Sequence, residues 1–257
     1  MQNPKISIII PVLNEANNIT KTVLLVKDAV NVEVIVVDGG SQDETVAIVN
    51  SLGIKLLSSP PQRAKQMNAG AALASGDILL FLHADTLLPA NFDTMVRQTL
   101  AGEKCKENSP IQNPIFSPPL KRGGWGGSQP PIAGAFELGI NSKIRGIRLV
   151  EKMVNLRSRF FSLPYGDQAI FLKADVFRDI GGFPELPIME DFVFIRRLRE
   201  LGKIEIVPVP VLTSGRRWQK LGVLKTTLIN QIMIIGYFLG ISPKKLARFY
   251  RRKFTKF

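Results

Sequence analysis

Residues 76–89 read Gly76-Asp-Ile-Leu-Leu-Phe-Leu-His-Ala-Asp-Thr-Leu-Leu-Pro89, and this stretch decides the fold class. Residues 78–82 form a continuous apolar run of strand length, which is typical of a strand buried on both faces of a parallel sheet. His83 and Asp85 follow directly, at the strand's carboxyl end, where open α/β sheets bind their ligands. A carboxylate at that edge favours a metal ion. The same residue type also caps helices and forms turns, so the stretch alone leaves both interpretations of Asp85 open.

The residues before this stretch alternate between predicted strands and predicted helices. Strands are expected at 6–11, 32–37 and 54–57, and helices at 15–28, 43–52 and 64–74. Ser41 is a predicted cap of the second helix, with Glu44 at capping-box spacing. This alternation predicts an α/β fold, a Rossmann-like, mostly parallel sheet with helices on both faces. Neither the dinucleotide Gly-x-Gly-x-x-Gly fingerprint nor the Gly-x-x-x-x-Gly-Lys-Ser/Thr loop occurs in the chain.

Composition sets the size and compartment expected of the protein. The chain has 257 residues, 45% of them hydrophobic, which is enough for one large or two small domains with a real core. The single cysteine, Cys105, excludes an intrachain disulfide and is typical of a reducing compartment. No charged segment followed by an apolar one precedes Pro4, so we expect no signal peptide.

The formal charge of +13 is concentrated in the second half of the chain. Residues 1–142 hold 11 Lys/Arg and 12 Asp/Glu, a net charge of −1, whereas residues 143–257 hold 23 and 9, a net charge of +14. Nucleic acid and an anionic membrane surface are both candidate partners for such a positive field.

Residues 102–131 interrupt the pattern with a stretch rich in proline and glycine. Such a composition does not build a packed element and predicts a mobile, disordered surface loop. Trp125 and the cations Lys121 and Arg122 could contact a ligand, but we interpret the stretch as a dispensable, low-complexity insertion.

The second half contains a basic amphipathic helix, predicted at 144–161. Its apolar residues have helical spacing and alternate with arginine and lysine, as in a solvated face over a core or in a membrane-surface helix; periodicity does not separate the two. A strand is expected at 169–173, a helix from Glu190 to about Leu201, and short strands at 204–207 and 209–212.

Residues 222–257 are predicted to form a basic, amphipathic C-terminal segment at a membrane interface. Residues 226–243 carry no charge, but polar residues dilute the window and cations flank both sides, so we expect it to lie in the interface rather than cross. Residues 242–257 hold seven Lys/Arg and no acid, with four aromatic residues between them. That combination suits a lipid headgroup layer. The alternative is a helix packed on the sheet, followed by a solvated basic tail.

Five motifs in order resemble those of family-2 glycosyltransferases with the GT-A fold. They are Ile8-Ile-Ile-Pro-Val-Leu-Asn-Glu15, Val36-Val-Asp-Gly-Gly-Ser-Gln-Asp43, Asn68-Ala-Gly-Ala-Ala-Leu-Ala-Ser-Gly-Asp77, His83-Ala-Asp85, and Gly181-Gly-Phe183 with Glu190-Asp191. The resemblance covers nearly everything outside 102–131 and implies a GT-A domain over 1–221. The segments Leu156-Arg-Ser-Arg159, Pro164-Tyr-Gly-Asp-Gln168 and Arg216-Arg-Trp218 are similar to a small bacterial subgroup with poorly defined acceptors.

The resemblance implies a binding site for a nucleotide-diphosphate sugar. Its implied residues are Pro11, Asn14, Glu15, Asp38, Arg63, His83, Asp85, Arg217 and Trp218. Asp85 is also the implied ligand of a divalent cation, Mn²⁺ or Mg²⁺, which would neutralise the leaving diphosphate. His83 stands where the family has the first Asp of Asp-x-Asp, which lowers the negative charge at the cation site; a sugar or ribose contact and a structural role both remain open for it.

The resemblance also implies a catalytic base. Asp191 matches the residue that takes the proton from the acceptor hydroxyl in inverting transfer, and Glu190 beside it is expected to raise the proton affinity of a buried Asp191. The alternative is that both acids simply occupy a helix N-terminus, where negative charge is favoured. Ser214 occupies the Gln position of the processive Gln-x-x-Arg-Trp motif, which argues against a processive polymerase.

The function implied is inverting transfer of a sugar from a UDP- or GDP-linked donor to a lipid-linked or apolar acceptor. The expected location is cytoplasmic, on the inner face of the cell membrane, with no nucleic-acid partner. Two alternatives are a sugar-phosphate nucleotidylyltransferase, which should begin with a glycine-rich basic signature, and a basic binding module without catalysis. Retention of Asp38, Asp85 and Asp191 together argues against the second.

Overall fold

The computed structural model describes residues 3–103 and 130–254. The strands are β1 (Ile6–Val12), β2 (Val32–Asp38), β3 (Lys55–Ser58), β4 (Ile78–Phe81), β5 (Thr86–Leu87), β6 (Ala133–Asn141), β7 (Phe171–Lys173) and β8 (Ile204–Ser214). The helices are α1 (Ala16–Leu24), α2 (Thr45–Ser51), α3 (Arg63–Leu73), α4 (Phe92–Leu100), α5 (Ile147–Phe161), α6 (Ala174–Asp179), α7 (Glu190–Leu201), α8 (Arg216–Leu221), α9 (Val223–Phe238) and α10 (Pro243–Phe254), with a 3-10 turn at Gly166–Gln168. The prediction for 102–131 falls almost entirely outside the described residues.

These strands form one eight-stranded sheet in the order β3-β2-β1-β4-β7-β6-β8-β5. The first four are parallel to one another, β7 is antiparallel to both β4 and β6, and β8 is parallel to β6. The predicted α/β fold with a mostly parallel sheet is therefore confirmed, and the sheet is mixed where β7 joins it.

Helices cover both faces of this sheet because successive side chains of each buried strand point to opposite faces. Ile8 of β1 packs in one apolar cluster with residues of α1 and α4, whereas its neighbour Ile9 packs in a second cluster with residues of α3, α6 and α7. Both isoleucines are completely buried. The apolar runs seen in the sequence thus correspond to strands covered on both sides.

Two residues of the third motif hold α3 against its neighbours. A Cβ added to Gly70 would lie 2.5 Å from Ile9 Cγ2, so the missing side chain is what lets the helix lie this close to β1. Asn68 donates to the Phe183 carbonyl and accepts from the Phe183 amide, both at 2.9 Å. The motif therefore fixes α3 on the sheet and ties it to the Gly-Gly-Phe loop.

The structure corrects the strand predictions in two places. β6 was not expected, because its sequence, Ala-Gly-Ala-Phe-Glu-Leu-Gly-Ile-Asn, mixes glycine and alanine with few strand-forming residues. The predicted strands at 204–207 and 209–212 are one strand, β8, whose pairing shifts from Phe136↔Val207 to Glu137↔Pro210. Pro208 and Pro210 lack the N–H that a regular ladder needs, which is why the sequence suggested a break.

Helix ends also differ from the prediction. α2 begins at Thr45, and Ser41 does not cap it, because the Ser41 hydroxyl accepts from the Asn14 amide at 2.9 Å instead. Asp43 Oδ1 accepts from the Thr45 amide at 3.0 Å, while Glu44, the residue at the cap position, makes no side-chain capping hydrogen bond. α1 ends at Leu24 rather than 28, and α5 begins at Ile147, after Gly146 with φ of 90°.

The uncharged window at 226–243 is not one element. α9 ends at Phe238, Gly240 takes a φ of 78°, and α10 begins at Pro243. Ile229 and Met233 are buried against Leu246, while much of the remaining apolar surface of α9 is exposed. Within 3–103 and 130–254, no helix combines the length and apolarity needed to cross a membrane.

A partly buried carboxylate links the amino ends of β1, β2 and β4. Glu33 accepts hydrogen bonds from the Ser7 hydroxyl and from the Ser75 amide at 2.7 Å, and its other oxygen lies 3.2 Å from Lys5 Nζ. Burial alone would raise the pKa of Glu33, but these hydrogen bonds outweigh it and lower the pKa to about 2. The ionised form is therefore the one that stabilises the fold.

Replacing this carboxylate should change the acid stability of the protein. With the folded pKa below the ordinary 4.5, the stabilisation by Glu33 is complete above that value and is lost as the pH falls from about 4.5 towards about 2. Glu33→Gln should therefore unfold more easily at pH 7 and show a shallower fall in free energy of unfolding across that window. Urea unfolding at several pH values measures both. The exposed Glu200→Gln is the matched control, and equal pH profiles for Glu33→Gln and wild type would contradict the assignment.

Candidate active site

A cleft of about 650 Å³ opens at the carboxyl edge of the parallel strands. It is walled by the ends of β1, β4 and β8, the start of α7, and one side each of α9 and α10. The predicted site residues that line it are Pro11, Glu15, Arg63, His83, Asp85, Glu190, Asp191, Arg217 and Trp218. The C-terminal helices are thus part of the cleft wall, although the sequence placed them in a separate segment.

Strand direction explains why distant parts of the chain meet here. β1 and β4 are parallel, so the residues after both strands lie at one edge. β7 runs the other way, with Phe171 paired to Leu80, so the residues before β7 reach that same edge. β8 ends there too, because the Ser214 amide donates to the Asp85 carbonyl at 3.0 Å.

Asn14 and Asp38 do not line the cleft. The Asp38 carboxylate is 5% exposed and accepts from the amides of Gly40 and Ser41 at 2.9 and 3.1 Å. Asn14 has φ of 55°, and its Oδ1 accepts from the Gln42 amide at 2.8 Å. Both side chains hold the loops after β1 and β2 in place.

Gln66, which the sequence reasoning missed, joins the same two strands from inside the cleft. Its side-chain amide donates to the carbonyls of Val12 at 2.8 Å and Val37 at 2.9 Å, and the residue is 5% exposed. Its nitrogen would lie 3.0 Å from a Cβ on Gly39, so the glycine after Asp38 makes room for it. No periodicity or motif distinguishes this glutamine from others in an amphipathic helix.

Arg216 is the cation that contacts Asp85. Its Nη2 lies 2.9 Å from Asp85 Oδ2 and 3.1 Å from each carboxylate oxygen of Glu15. The sequence had instead assigned Arg217 and Trp218 to the donor. Trp218 lines the cleft and also packs against a small apolar cluster that contains Leu138. Because the Arg216 side chain is 47% exposed, this ion pair adds little stability and can be exchanged.

The residues around Asp85 fit a divalent cation that takes few of its ligands from the protein. Among the described residues there is no group of three or more His, Cys, Asp or Glu side chains able to enclose a metal ion. Glu15 and Asp85 nevertheless both contact the Arg216 guanidinium, so these two carboxylates lie close enough together to bind one positive charge. A Mg²⁺- or Mn²⁺-sized ion held by one or two carboxylates and completed by phosphate oxygens and water fits this donor set.

Glu190, and not Asp191, is the buried acid at the start of α7. Glu190 is 5% exposed, and its Oε1 lies 3.4 Å from Arg63 Nη1. Burial raises the pKa of Glu190, the charge of Arg63 opposes that rise, and the charge of Asp191 adds to it. The expectation of a buried Asp191 was therefore wrong: Asp191 is only partly buried and faces the cleft.

Asp191 is oriented by the turn that precedes β7. The Gly166 amide donates to Asp191 Oδ2 at 2.9 Å, and the Phe192 amide donates to Oδ1 at 2.7 Å. A Cβ added to Gly166 would lie 3.2 Å from both Asp191 Oδ2 and His83 Nε2. Glycine at this position therefore allows the carboxylate and the imidazole to approach the same point of the cleft.

The same turn carries a second acid, Asp167, that was not predicted as a site residue. Asp167 lines the cleft, and its Oδ1 is buried without a hydrogen-bond partner among the described residues. Burial raises the pKa of Asp167, against the charge of Arg157. Gln168 anchors the turn by donating to the Phe136 carbonyl and accepting from the Ser158 hydroxyl, both at 2.9 Å. The sequence feature that could have pointed to Asp167 was the Pro164-Tyr-Gly-Asp-Gln168 segment, because of its resemblance to a bacterial subgroup.

Comparison with known proteins shows what the N-terminal segment resembles. Residues 7–104 match the family model described as Glycosyl transferase family 2. This part of the chain is therefore similar in sequence to family-2 glycosyltransferase domains. A curated relative, an uncharacterized glycosyltransferase of Haemophilus influenzae, is 33% identical over 97 residues, which is 34% of this chain and 39% of the relative.

Solved glycosyltransferase structures share the fold. A mannosyltransferase from Pyrobaculum calidifontis in complex with GDP-Man and Mn²⁺ matches with a TM-score of 0.58 at 20% identity, over 83% of this chain and 57% of that one. Staphylococcus aureus TarS 1-349 with UDP matches at 0.60 and 17%, over 82% and 60%. Glucosyl-3-phosphoglycerate synthase from Mycobacterium tuberculosis matches at 0.53 and 17%, over 89% and 79%.

These matches confirm the GT-A fold and the resemblance to family-2 glycosyltransferases. The chain spans well under half the length of the curated relative and about three fifths of the first two solved structures. At these identities the structural likeness establishes the fold, and the substrates of the protein have to be argued from the cleft.

The electrostatics of the cleft can be tested at His83, the only histidine in the chain. Burial and the charges of Arg63 and Arg217 lower the pKa of His83 well below its usual range, so the imidazole is neutral at pH 7. Because there is one histidine, NMR titration of its ring protons reports this group without assignment. We expect a midpoint well below 6.5, raised in Arg63→Gln and Arg217→Gln because removing positive charge favours imidazolium, and unchanged in the exposed Arg178→Gln. An ordinary midpoint near 6.5 in the wild type would contradict this description.

Proposed function

We propose that the protein is an inverting glycosyltransferase that moves a sugar from a UDP- or GDP-linked donor to an acceptor hydroxyl by single displacement. The observation that carries the proposal is one cleft with two sets of groups. Arg63, Arg216 and Arg217 with Asp85 supply charges suited to a diphosphate, and Asp191 supplies an oriented carboxylate. The complexes of two structural neighbours, one with GDP-Man and Mn²⁺ and one with UDP, support this choice of donor.

The first requirement is neutralisation of the leaving nucleoside diphosphate. Negative charge develops on the diphosphate oxygen as the bond from the anomeric carbon breaks, and preorganised positive groups stabilise it. A divalent cation bound to Asp85 would act as a Lewis acid on those oxygens. Arg216 then becomes available for the diphosphate, because its exposed ion pair with Asp85 and Glu15 is exchangeable.

The second requirement is a base on the opposite face of the sugar. The acceptor oxygen forms its bond to the anomeric carbon while its proton passes to Asp191, and the diphosphate departs with the electrons of the broken bond. The Gly166 amide fixes the receiving carboxylate oxygen. His83 is neutral and near the same point, so it is suited to a hydrogen bond with a sugar or ribose hydroxyl. Asp167 Oδ1, which has no hydrogen-bond partner among the described residues, is suited to accept a hydrogen bond from the acceptor.

The acceptor we propose is a lipid-linked or apolar alcohol or acid at the inner face of the cytoplasmic membrane. α5 exposes Leu149, Met153, Leu156 and Phe161, with exposures of 57 to 63%, between arginine and lysine residues. α9 exposes Leu224 and Leu228 in the same manner. Exposed apolar side chains combined with the charge of +14 over 143–257 favour an anionic lipid surface over nucleic acid.

Metal-dependent donor binding should depend on Asp85. Calorimetric titration with UDP and with GDP should show tighter binding of one of them when Mn²⁺ is present, and Asp85→Asn should abolish that gain because the carboxylate charge that holds the cation is lost. The exposed Asp28→Asn should bind as the wild type does. An unchanged Mn²⁺ effect in Asp85→Asn, or full activity in excess chelator, would remove the metal role.

Catalysis should depend on Asp191. Incubation with a panel of nucleotide sugars and a membrane extract, followed by measurement of released nucleotide, tests the activity. Asp191→Asn should lower the rate by about 10²- to 10⁴-fold, the usual contribution of a general base, with nucleotide affinity retained. Asp179→Asn, at an exposed site on α6, is the matched control. A near wild-type rate in Asp191→Asn would exclude this residue as the base.

A further inference from the structure

A second cavity, of about 450 Å³, lies between α9 and α10. We call it the tail groove. Its walls are apolar except for Lys245, and its exposed side chains are Ile232, Ile235, Leu239, Ile241 and Phe249. None of these residues lines the active-site cleft.

The tail groove leaves large apolar side chains in contact with water. Leu239 is 75% exposed and Ile235 is 55% exposed, although both line a concave surface that could cover a ligand. Removing such area from water is favourable at about 25 cal/mol per Å². Its base is closed by Leu246, which approaches α9 at Gly236, where an added Cβ would lie 2.9 Å from Leu246 Cδ2.

The same two helices separate the tail groove from the active-site cleft. On α9, Met233 and Ile234 line the cleft, whereas Ile232 and Ile235 line the groove. On α10, Ala247 and Tyr250 line the cleft, whereas Leu246 and Phe249 line the groove. A molecule in the groove is therefore about one helix diameter, ~10 Å, from the cleft.

Charge decides between the possible occupants of the groove. α10 carries six lysine and arginine residues and no acid, and Lys245 is in the groove wall itself. Two copies of the chain joined at this face would bring these cations together, which disfavours a self-association surface. A ligand with a hydrocarbon chain and an anionic head complements both the apolar walls and the basic helix.

We propose that the tail groove holds the hydrocarbon chain of the acceptor, an anionic lipid whose head binds the cations of α10 and whose accepting oxygen reaches the active-site cleft. This inference rests on the proposed glycosyl transfer and specifies its acceptor class. It assigns the chain to the apolar walls and the anionic head to the cations of α10, including Lys245. The five exposed apolar residues of the groove are then specificity determinants for the acceptor.

Dodecyl phosphate, used below its micelle-forming concentration, is a soluble probe of this site. Calorimetry should show binding to the wild type, and none with inorganic phosphate at the same concentration. The double variant Ile235→Gln/Leu239→Gln should bind at least tenfold more weakly. Leu24→Gln/Leu25→Gln, which changes two exposed leucines at the end of α1, away from the cleft and the groove, should bind as the wild type does. Lys245→Gln should weaken the binding of dodecyl phosphate more than it weakens the binding of zwitterionic dodecylphosphocholine.

A second readout ties the groove to the acceptor. Nucleotide release stimulated by a membrane extract should fall at least tenfold in the groove variant and not in its control, while UDP and GDP affinities stay at the wild-type values. Melting temperatures establish that all variants fold. If the wild type binds UDP or GDP but not dodecyl phosphate, the proposal that the groove binds the acceptor chain is overturned and the proposed glycosyl transfer stands. If the wild type binds neither UDP nor GDP, the proposed transfer itself is overturned.

Two further outcomes would also overturn the inference. If dodecyl phosphate binds in the groove but the extract-stimulated rate is unaffected, the chain in the groove is not that of the acceptor. If light scattering finds a dimer that only the groove variant dissociates, and dodecyl phosphate does not bind, the occupant is a second copy of this protein.

Discussion

The direction of β7 is the constraint on which the cleft depends. With Phe171 paired to Leu80 in antiparallel register, the chain must approach the sheet at the edge where β1 and β4 end. That approach puts the Gly166 amide within 2.9 Å of Asp191 and puts Asp167 in the cleft wall. A parallel β7 would have taken the turn before it to the far edge, and the carboxylate on α7 would have lost the donor that orients it.

The acids of the cleft differ in environment, and this difference separates their roles. Glu190 is buried beside Arg63, so its charge serves to hold that arginine at the rim. Asp85 is paired with an exposed arginine and can exchange its partner, while Asp191 takes only backbone amides. In such a site Glu190 is structural, Asp85 is able to bind a cation, and Asp191 is able to accept a proton.

How far the sequence could predict this structure depended on the range of the interactions involved. Apolar runs and family motifs located β1, β2, β4 and the start of α7, and so brought His83, Asp85 and Asp191 to one edge. Gln66 was missed as a site residue, and the contact between Arg216 and Asp85 was not predicted, because these contacts join positions far apart in sequence. The strand β6 was missed because glycine and alanine give it a weak strand propensity, which tertiary pairing with β8 overrides.

The proline pair in β8 has a consequence for the behaviour of the protein in solution. β5 pairs with β8 only at Leu212 and Thr213, so within the part of the chain that the structure describes no strand pairs with the outer edge of residues 204–211. An uncovered edge of that length can recruit strands from other molecules and lead to aggregation. Pro208 and Pro210 offer no N–H to an incoming strand, and the shifted register between them bends the ladder. The two prolines that made β8 look like two strands in the sequence therefore also disfavour pairing of this edge with strands of other molecules.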